Sequence, residues 1–380
     1  MRTDDLDYPF DESLVAKTPA EPRDSARLLV YRRATGELDH RRVADLPEEL
    51  DARDMLVVNE TTVAPARFKA IRSASKGGDG AHIEGLLLER RGPRTWLALL
   101  KNAKRVKPGE GLRLVGPHPS SLTGTLRFIA REGEGAIVEV EGGASADEVL
   151  ATLGWTPLPP YILKARSRAV GGQEVHPEGE EDDADRRRYQ TVFAAPTDAP
   201  SVAAPTAGLH FTDELLGKLA SRGVERICVS LQVGAGTFKP VETPRLEDHP
   251  MHTERCVMSD RSLAALRAAK QAKRRIVAVG TTSVRTLESL PDPLPDPLPD
   301  PLPDSLLGKG PLVWDTNILI APGHRFRHVD ALLTNFHLPR STLLALVAAL
   351  IGLDELKRVY AIATAERYRF YSYGDAMLIL

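Results

Sequence analysis

The sequence has few cysteines, no long apolar run and no excess of either charge. Its 380 residues include two cysteines, Cys228 and Cys256, with neither a CxxC pair nor a metal-ligand spacing. This usage is typical of a reduced cytosolic protein, so we expect no disulfide framework and a cytoplasmic location. No run reaches the roughly 18 apolar residues of a membrane span. Residues 1–10 are acidic and contain no apolar leader, so we expect neither a membrane partner nor export.

The balance of charge gives no general indication of nucleic acid binding. Lysine and arginine number 50, against 52 aspartate and glutamate residues. A polyanionic partner would therefore have to bind a local basic cluster, although such clusters are usually solvated surface. The candidate clusters are Arg41-Arg42, Lys104-Arg105-Lys107, Arg186-Arg187-Arg188 and Lys273-Arg274-Arg275.

The length of the chain and a change in its pattern of hydrophobic residues predict two domains. A chain of 380 residues with 42% hydrophobic content can bury one large core or two smaller ones. Inside the segment 66–155, short runs of alternating polarity are broken by turns about every eight to twelve residues, which is typical of a small antiparallel barrel. We therefore predict an inserted β-barrel domain at 66–155 and a discontinuous domain formed by 1–65 and 156–380.

The discontinuous domain has the pattern of an α/β fold. After Tyr189, apolar strands alternate with amphipathic helices, as in RICVSLQV, SLAALRAAKQAKRR and IVAVG. This order predicts a largely parallel sheet flanked by helices, with ILIAPG and VDALL as further strands. Thr212 and Ser341 are predicted helix caps. The segment EVHPEGEEDDADRRRYQ is predicted to be an exposed loop, and the proline repeat at 290–304 an extended surface insertion.

One stretch combines a very apolar helix with a dense polar loop. Residues 329–352 have the pattern of a buried strand, a loop that contains His337 and Arg340, and a helix apolar enough to lie in a core. Ligands of a parallel sheet bind beyond the carboxyl ends of its strands. Each of the polar loops expected there is a weak signal alone, but together they predict a binding site. These loops are PTAGLHFT, GAGTFKP, GTTSVRT and TNFHLPRST.

Four side chains in or near these loops are candidates for proton transfer or charge pairing. They are His210, His252, His337 and Asp375. An imidazole with a pKa near neutral both accepts and donates protons at pH 7. A single histidine beside a strand is more often structural, whereas three in loops on one side of a sheet favour a catalytic function.

Two further patterns have a functional and a structural interpretation. His252 and Glu254 resemble part of a metal site, but no third ligand has a suitable spacing, so we expect no metal. The aromatic run at 368–373 suits either stacking on a base or packing of the last strand.

Several longer motifs are more specific than these patterns. AAPTAGLHFT, VGAGTFKPV, HPMHTE, VGTTSVRTLES, DALLTNFHLPRSTLL and YRFYSYGDAMLIL follow RDSARLLV, LPPYI and RYQTVFA along the chain. In this order, and over nearly the whole chain, they resemble the S-adenosylmethionine:tRNA ribosyltransferase-isomerases of queuosine biosynthesis. The resemblance implies an α/β domain interrupted by a β-barrel, in agreement with the short runs of alternating polarity in the segment 66–155.

The resemblance also implies a reaction and its partners. In this family, the ribosyl part of S-adenosylmethionine is transferred to a 7-aminomethyl-7-deazaguanine base in tRNA and rearranged to an epoxycyclopentane. The product is epoxyqueuosine-tRNA, and adenine and methionine leave. S-adenosylmethionine is then a substrate, so no cofactor is expected, and the protein is expected to act as a cytoplasmic monomer.

Roles for individual residues follow from the same resemblance. The three histidines are candidates for the proton steps, without assignment of one to each, and Asp375 is a candidate partner of the substrate ammonium. Arg285 and Arg340 would hold the methionine carboxylate or a tRNA phosphate. The predicted substrate-binding residues are Thr206, Gly208, Gly234, Gly236, Thr237, Thr281, Thr282, Ser283, Arg285, Asn335, Arg340 and Tyr373.

The sequence departs from the family pattern at a few positions. Glu60 and Thr62 alter a loop that usually contains an aspartate and an arginine, Gln232 stands where a histidine is common, and His324 where an aromatic residue is common. A catalytically silent tRNA-binding relative of the same fold is therefore an alternative. An ordinary methyltransferase is disfavoured, because no glycine-rich loop follows an early strand with an acidic residue about 20 positions later.

Overall fold

The architecture consists of a mixed sheet between two layers of helices and a separate closed barrel. The computed structural model describes residues 1–73, 79–119, 123–142, 145–172, 179–196, 201–234, 241–294 and 311–380. The strands in these residues are β1 (Arg27–Arg32), β2 (Glu37–Arg42), β3 (Asp54–Asn59), β4 (Arg67–Ser73), β5 (Asp79–Arg90), β6 (Thr95–Lys101), β7 (Gly111–Val115), β8 (Thr125–Glu132), β9 (Gly135–Glu141), β10 (Glu225–Leu231), β11 (Glu254–Met258), β12 (Arg275–Val279), β13 (Leu312–Thr316), β14 (Ala331–Asn335) and β15 (Ala376–Ile379).

The α-helices in the same residues are short to medium in length. They are α1 (Leu46–Glu49), α2 (Ala146–Leu153), α3 (Pro160–Ala169), α4 (Glu180–Arg188), α5 (Asp213–Ser221), α6 (Asp260–Gln271), α7 (Thr281–Glu288), α8 (Thr342–Ile351) and α9 (Leu353–Ala365). Among the residues described, no helix combines the length and apolar character needed to cross a membrane.

The main sheet is parallel at its centre. In the described residues its strand order is β13-β11-β10-β3-β12-β14-β15-β1-β2. Strands β10, β3, β12 and β14 are parallel to one another, β15 is parallel to β1, and the edge strands are antiparallel. The predicted α/β fold class is confirmed.

The central strands are apolar because both of their faces are covered. In β3, Met55 and Val57 lie in one hydrophobic core, and Leu56 and Val58 lie in the other. Helices α6, α7, α8 and α9 contribute to the first core, and α5 contributes to the second. This double burial explains why the central strands appear in the sequence as nearly continuous apolar runs.

The barrel is a closed antiparallel sheet with the strand order β4-β5-β6-β9-β8-β7. Its core includes Phe68, Trp96 and Phe128. The chain enters and leaves it side by side, because the N–H of Arg67 donates to the carbonyl of Trp155 (3.2 Å) and the N–H of Trp155 donates back (2.7 Å). The predicted inserted barrel is therefore present, and its strands lie within the segment 66–155.

The two predicted helix caps are confirmed. Thr212 Oγ1 accepts a hydrogen bond from the N–H of Leu215 (3.1 Å), and Ser341 Oγ accepts one from the N–H of Leu344 (3.2 Å). Each hydroxyl satisfies one of the amides that a helix leaves free at its start. Ser341 thereby fixes where the apolar helix α8 begins after the polar loop.

In the acidic and then basic segment that was predicted to be a loop, residues 174–178 lie outside the described residues and residues 180–188 form α4. Its first turn is acidic and its last turn is basic, which is the order that the helix dipole favours. The Asp182 carboxylate accepts from the N–H of Thr156 (2.9 Å), and Asp185 binds the Arg166 guanidinium through two hydrogen bonds (2.6 and 2.7 Å). The prediction was wrong because these buried partners are remote in sequence.

The predicted strand ILIAPG is a loop, although Ile320 is buried. The N–H of Ile318 donates to Thr316 Oγ1 (3.3 Å), and its carbonyl accepts from the Arg285 guanidinium (3.3 Å), so these groups are not available to a strand ladder. The apolar run therefore reflects burial without strand pairing. Most of the predicted proline insertion, from residue 295 to residue 304, lies outside the described residues.

The ion pair of α4 gives a test of how this helix is held. Asp185→Ala leaves the Arg166 guanidinium, whose side chain is 15% exposed, without its carboxylate. We expect the free energy of unfolding to fall by about 3–5 kcal/mol in urea denaturation. Asp183→Ala, on the same helix, removes a half-exposed partner of His118 and should cost much less. Equal losses in the two variants would contradict this account of α4.

Candidate active site

A pocket with an empty volume of about 790 Å³, which includes open solvent, lies at the carboxyl ends of β12 and β14. Three of the four predicted ligand loops meet there. The fourth, GAGTFKP, lies outside the described residues from residue 235 onward, and Val233, directly before it, lines the pocket. The pocket brings together five predicted site residues: Thr206, Thr281, Thr282, Asn335 and His337.

His337 lies in the loop between β14 and α8, with its imidazole at the pocket wall. The Nε2 atom is 2.8 Å from Thr334 Oγ1. The residue is 8% exposed, and burial lowers its pKa from 6.5 to about 3, because water cannot solvate the charged ring. The imidazole is therefore neutral at pH 7.

Asn335 connects the pocket to His210. Its Nδ2 donates to His210 Nε2 (3.2 Å) and to the carbonyl of Tyr371 (3.0 Å), and its Oδ1 accepts from Thr206 Oγ1 (2.9 Å). Because Nε2 of His210 is an acceptor here, the proton of the neutral ring is on Nδ1. The amide thus holds three segments of the chain together at one edge of the sheet.

His210 lies behind this amide and is not among the residues that line the pocket. It is 4% exposed. Burial lowers its pKa to about 4, and the opposing effect of the Asp375 charge is smaller. His210 is therefore neutral at pH 7, and its contact with the pocket passes through Asn335.

The start of α7 supplies hydroxyl groups and free amides to the pocket. Gly280, with a φ of 86°, turns the chain from β12 into the helix, and Thr281 and Thr282 line the pocket. The first amides of a helix have no partner within it and carry partial positive charge. In addition, the buried Thr282 Oγ1 has no hydrogen-bond partner among the described residues. This arrangement is suited to a carboxylate or another anionic group.

Other predicted ligands are engaged elsewhere in the protein. The hydroxyl of Ser283 donates to the carbonyl of Val279 (2.8 Å), one turn back. The Arg285 guanidinium forms a buried ion pair with Glu254. The Asp375 carboxylate accepts from the N–H of Arg369 (2.8 Å) and from its guanidinium (2.9 and 3.1 Å). Arg285 and Asp375 are thus engaged by partners within the protein and do not line the pocket, and Arg285 Nη2 has no hydrogen-bond partner among the described residues.

His252 and Arg340 lie outside the pocket lining. His252 is exposed, and Arg340 forms an ion pair with Asp4 (3.3 Å). The spacing of His252 and Glu254 resembled part of a metal site, but the Glu254 carboxylate is bound to Arg285. In the described ranges, no three histidine, cysteine, aspartate or glutamate side chains are placed to hold a metal ion.

The remaining predicted positions are a tyrosine and several loop residues. Tyr373 is 2% exposed and packs edge-on against Tyr189, with ring centroids 6.0 Å apart. A Cβ atom at Gly208 would lie 3.0 Å from the Thr191 methyl group, so this glycine permits close packing. Gly234 is described but does not line the pocket, and Gly236 and Thr237 lie outside the described residues.

Sequence reasoning missed an aromatic wall of the pocket. The rings of Tyr161 and Tyr371 have centroids 4.9 Å apart, and both residues line the pocket together with Ser372. Tyr371 has a φ of 70°, in a region that costs a non-glycine residue about 1–3 kcal/mol and is enriched at functional sites. The signal was present in the aromatic run at 368–373, but the turn that selects Tyr371 over Tyr373 was not apparent.

Comparisons with known proteins show the family to which this chain belongs. A family model described as a queuosine biosynthesis protein matches residues 3–379. An S-adenosylmethionine:tRNA ribosyltransferase-isomerase from Symbiobacterium thermophilum is 45% identical over 380 residues and covers 100% of both chains. One from Xanthobacter autotrophicus is 43% identical over 385 residues and covers 100% of this chain and 99% of its own.

A solved structure gives the same result at the level of the fold. An S-adenosylmethionine tRNA ribosyltransferase from Thermotoga maritima is 31% identical, covers 99% of this chain and 100% of its own, and has a TM-score of 0.50. The resemblance inferred from the sequence motifs is confirmed. This chain belongs to the queuosine biosynthesis protein family, together with the S-adenosylmethionine:tRNA ribosyltransferase-isomerases.

Proposed function

We propose that the protein transfers the ribosyl part of S-adenosylmethionine to the 7-aminomethyl-7-deazaguanine base in tRNA and isomerises it, forming epoxyqueuosine. Adenine and methionine are released, so S-adenosylmethionine is consumed as a substrate and no cofactor takes part. The observation that carries the proposal is that a chain matched by the family model over residues 3–379 joins a neutral imidazole and a hydroxyl-rich helix start in one pocket.

The proton steps of this reaction are assigned to His337. The positive sulfonium acidifies the neighbouring carbon, and a neutral imidazole in the pocket wall can accept that proton. An imidazolium with a depressed pKa is a strong acid, so it gives the proton up readily to adenine as adenine departs. Thr334, at 2.8 Å, orients the ring for both transfers.

The start of α7 is proposed to bind the methionine carboxylate. The carboxylate would accept hydrogen bonds from the first amides of the helix and from the hydroxyls of Thr281 and Thr282, one of which has no partner in the described structure. The rings of Tyr161 and Tyr371 would stack against a flat base. Together these contacts would place the sulfonium between the helix start and His337.

The departure at Gln232 does not remove a group from the described pocket. Gln232 is not among the lining residues, and its N–H donates to the carbonyl of Arg255 (3.0 Å). The named full-length relatives are transferase-isomerases, so a catalytically silent relative is not supported. We propose further that the protein works as a monomer in the cytoplasm, in keeping with its two free cysteines.

Loss of the proposed proton carrier should abolish the reaction. With tRNA carrying the 7-aminomethyl base, His337→Ala should lower the rate of adenine release by about 100-fold or more, as expected for a general acid-base group. The control is His40→Ala, which removes an exposed imidazole on the edge strand β2. Adenine release at the wild-type rate from His337→Ala would exclude this histidine from the proton steps.

The neutral state of the buried imidazoles can be tested without substrate. Because the pKa of His210 is lowered from 6.5 to about 4, the unfolded state binds the extra proton first as the pH falls. As the pH falls between these two pKa values, the free energy of unfolding of the wild type should therefore decrease by about 1.4 kcal/mol per pH unit more than that of His210→Gln. Urea unfolding at several pH values measures this difference, and parallel pH curves would contradict a neutral His210.

Binding of tRNA should depend on a basic turn of the barrel. Lys104 and Arg105 are exposed there, while Ala103 and Val106 are buried and hold the turn. Replacing either cation by alanine should weaken tRNA binding and reduce the slope of log affinity against log salt by about one. The matched control is Arg127→Ala, because this barrel arginine is already bound to Glu141 (2.6 Å). An unchanged salt slope would place this turn outside the tRNA interface.

A further inference from the structure

The loop that contains His337 lacks the backbone support of a strand or a helix. The residue follows β14, which ends at Asn335, and precedes α8, which starts at Thr342. Its N–H and C=O therefore have no partner in a ladder or a helix, and buried backbone groups need one. Two tyrosine hydroxyls provide these partners.

The two hydroxyls bind on either side of the His337 α-carbon. Tyr8 Oη donates to the carbonyl of His337 (2.6 Å), and the N–H of His337 donates to Tyr360 Oη (3.0 Å). The contacts involve the two consecutive peptide groups that set the backbone angles of this residue. Together with the bond between its ring and Thr334, they restrain both the backbone and the side chain of His337.

The tyrosines are themselves held by packing. Their rings have centroids 5.0 Å apart at an interplanar angle of 66°, and both lie against Phe370. Tyr360 is 1% exposed in α9. Tyr8 comes from the N-terminal segment, which also approaches the loop where the N–H of Arg340 donates to the carbonyl of Leu6 (3.1 Å). A rigid aromatic cluster thus supports one face of the loop that contains His337.

We propose that Tyr8 and Tyr360 are positioning residues for His337, because their hydroxyls bind its carbonyl and its N–H, the two polar backbone groups on either side of its α-carbon. The inference rests on the proposed function, in which His337 moves the proton. Neither phenol needs to touch substrate. Their effect is to keep the imidazole within reach of the reacting atoms, where displacements of about 1 Å reduce rates strongly.

The test compares Tyr8→Phe and Tyr360→Phe with Tyr31→Phe. Each variant keeps the ring and loses one hydroxyl, but the hydroxyl of Tyr31 binds Glu355 (3.0 Å) on α9, away from the pocket. We expect Tyr8→Phe and Tyr360→Phe to lower kcat for adenine release by about tenfold or more, with KM for S-adenosylmethionine changed less than about twofold. Tyr31→Phe should lower the melting temperature by a similar amount and leave kcat unchanged.

A crystal structure of Tyr8→Phe supplies a readout that does not depend on activity. We expect the His337 ring to leave its single position beside Thr334, whereas in Tyr31→Phe it should remain there. An unmoved ring together with the kcat of the wild type would overturn the positioning role. Absence of adenine release by the wild-type protein would count against the proposed function alone, since the ring position in Tyr8→Phe would still decide the role of the tyrosines.

Discussion

The parallel pairing of β12 with β14 is the constraint on which the site depends. The two strands are in register from Val277 opposite Ala331 to Val279 opposite Leu333, and the N–H of Gly280 extends the pairing to the carbonyl of Leu333 (2.8 Å). This alignment places the start of α7 beside the loop of His337. Since both strands are buried on both faces, a one-residue shift in register would move every side chain from one core to the other and disrupt the packing of both, so the spacing of the site is fixed by the cores.

Among the described residues, the charged pairs Arg285–Glu254 and Arg369–Asp375 do not line the pocket. Arg285 is neutralised by Glu254, and Arg369 by Asp375, while the pocket itself presents hydroxyls, an amide and a neutral imidazole. The buried Arg285 guanidinium would be strongly destabilising without Glu254, and the buried Asp375 carboxylate would be so without Arg369, so both pairs stabilise the structure. Among the described lining residues, the start of α7 carries partial positive charge, which attracts an anionic group.

The sequence allowed the sheet, its capped helices and the edge that bears the site to be predicted, because these features depend on local patterns. Buried strands such as β3 appear as apolar runs, and caps such as Thr212 have the expected residue type before a helix. Helix α4 was missed because it has no apolar stripe and is held by Arg166 and Thr156, which are distant in the sequence. Tyr8 was missed for the same reason, since 329 residues separate it from His337.

The position of β15 between β14 and β1 has a consequence for how the protein acquires its structure. Strand β1 pairs with β2 and β15, so the hairpin of β1 and β2 joins the main sheet through β15. The first two strands therefore cannot join the main sheet until residues 376–379 have been synthesised. Pairings this remote along the chain slow the search for the native topology, and until β15 is in place the apolar side chains of β1 lack part of the cores that bury them.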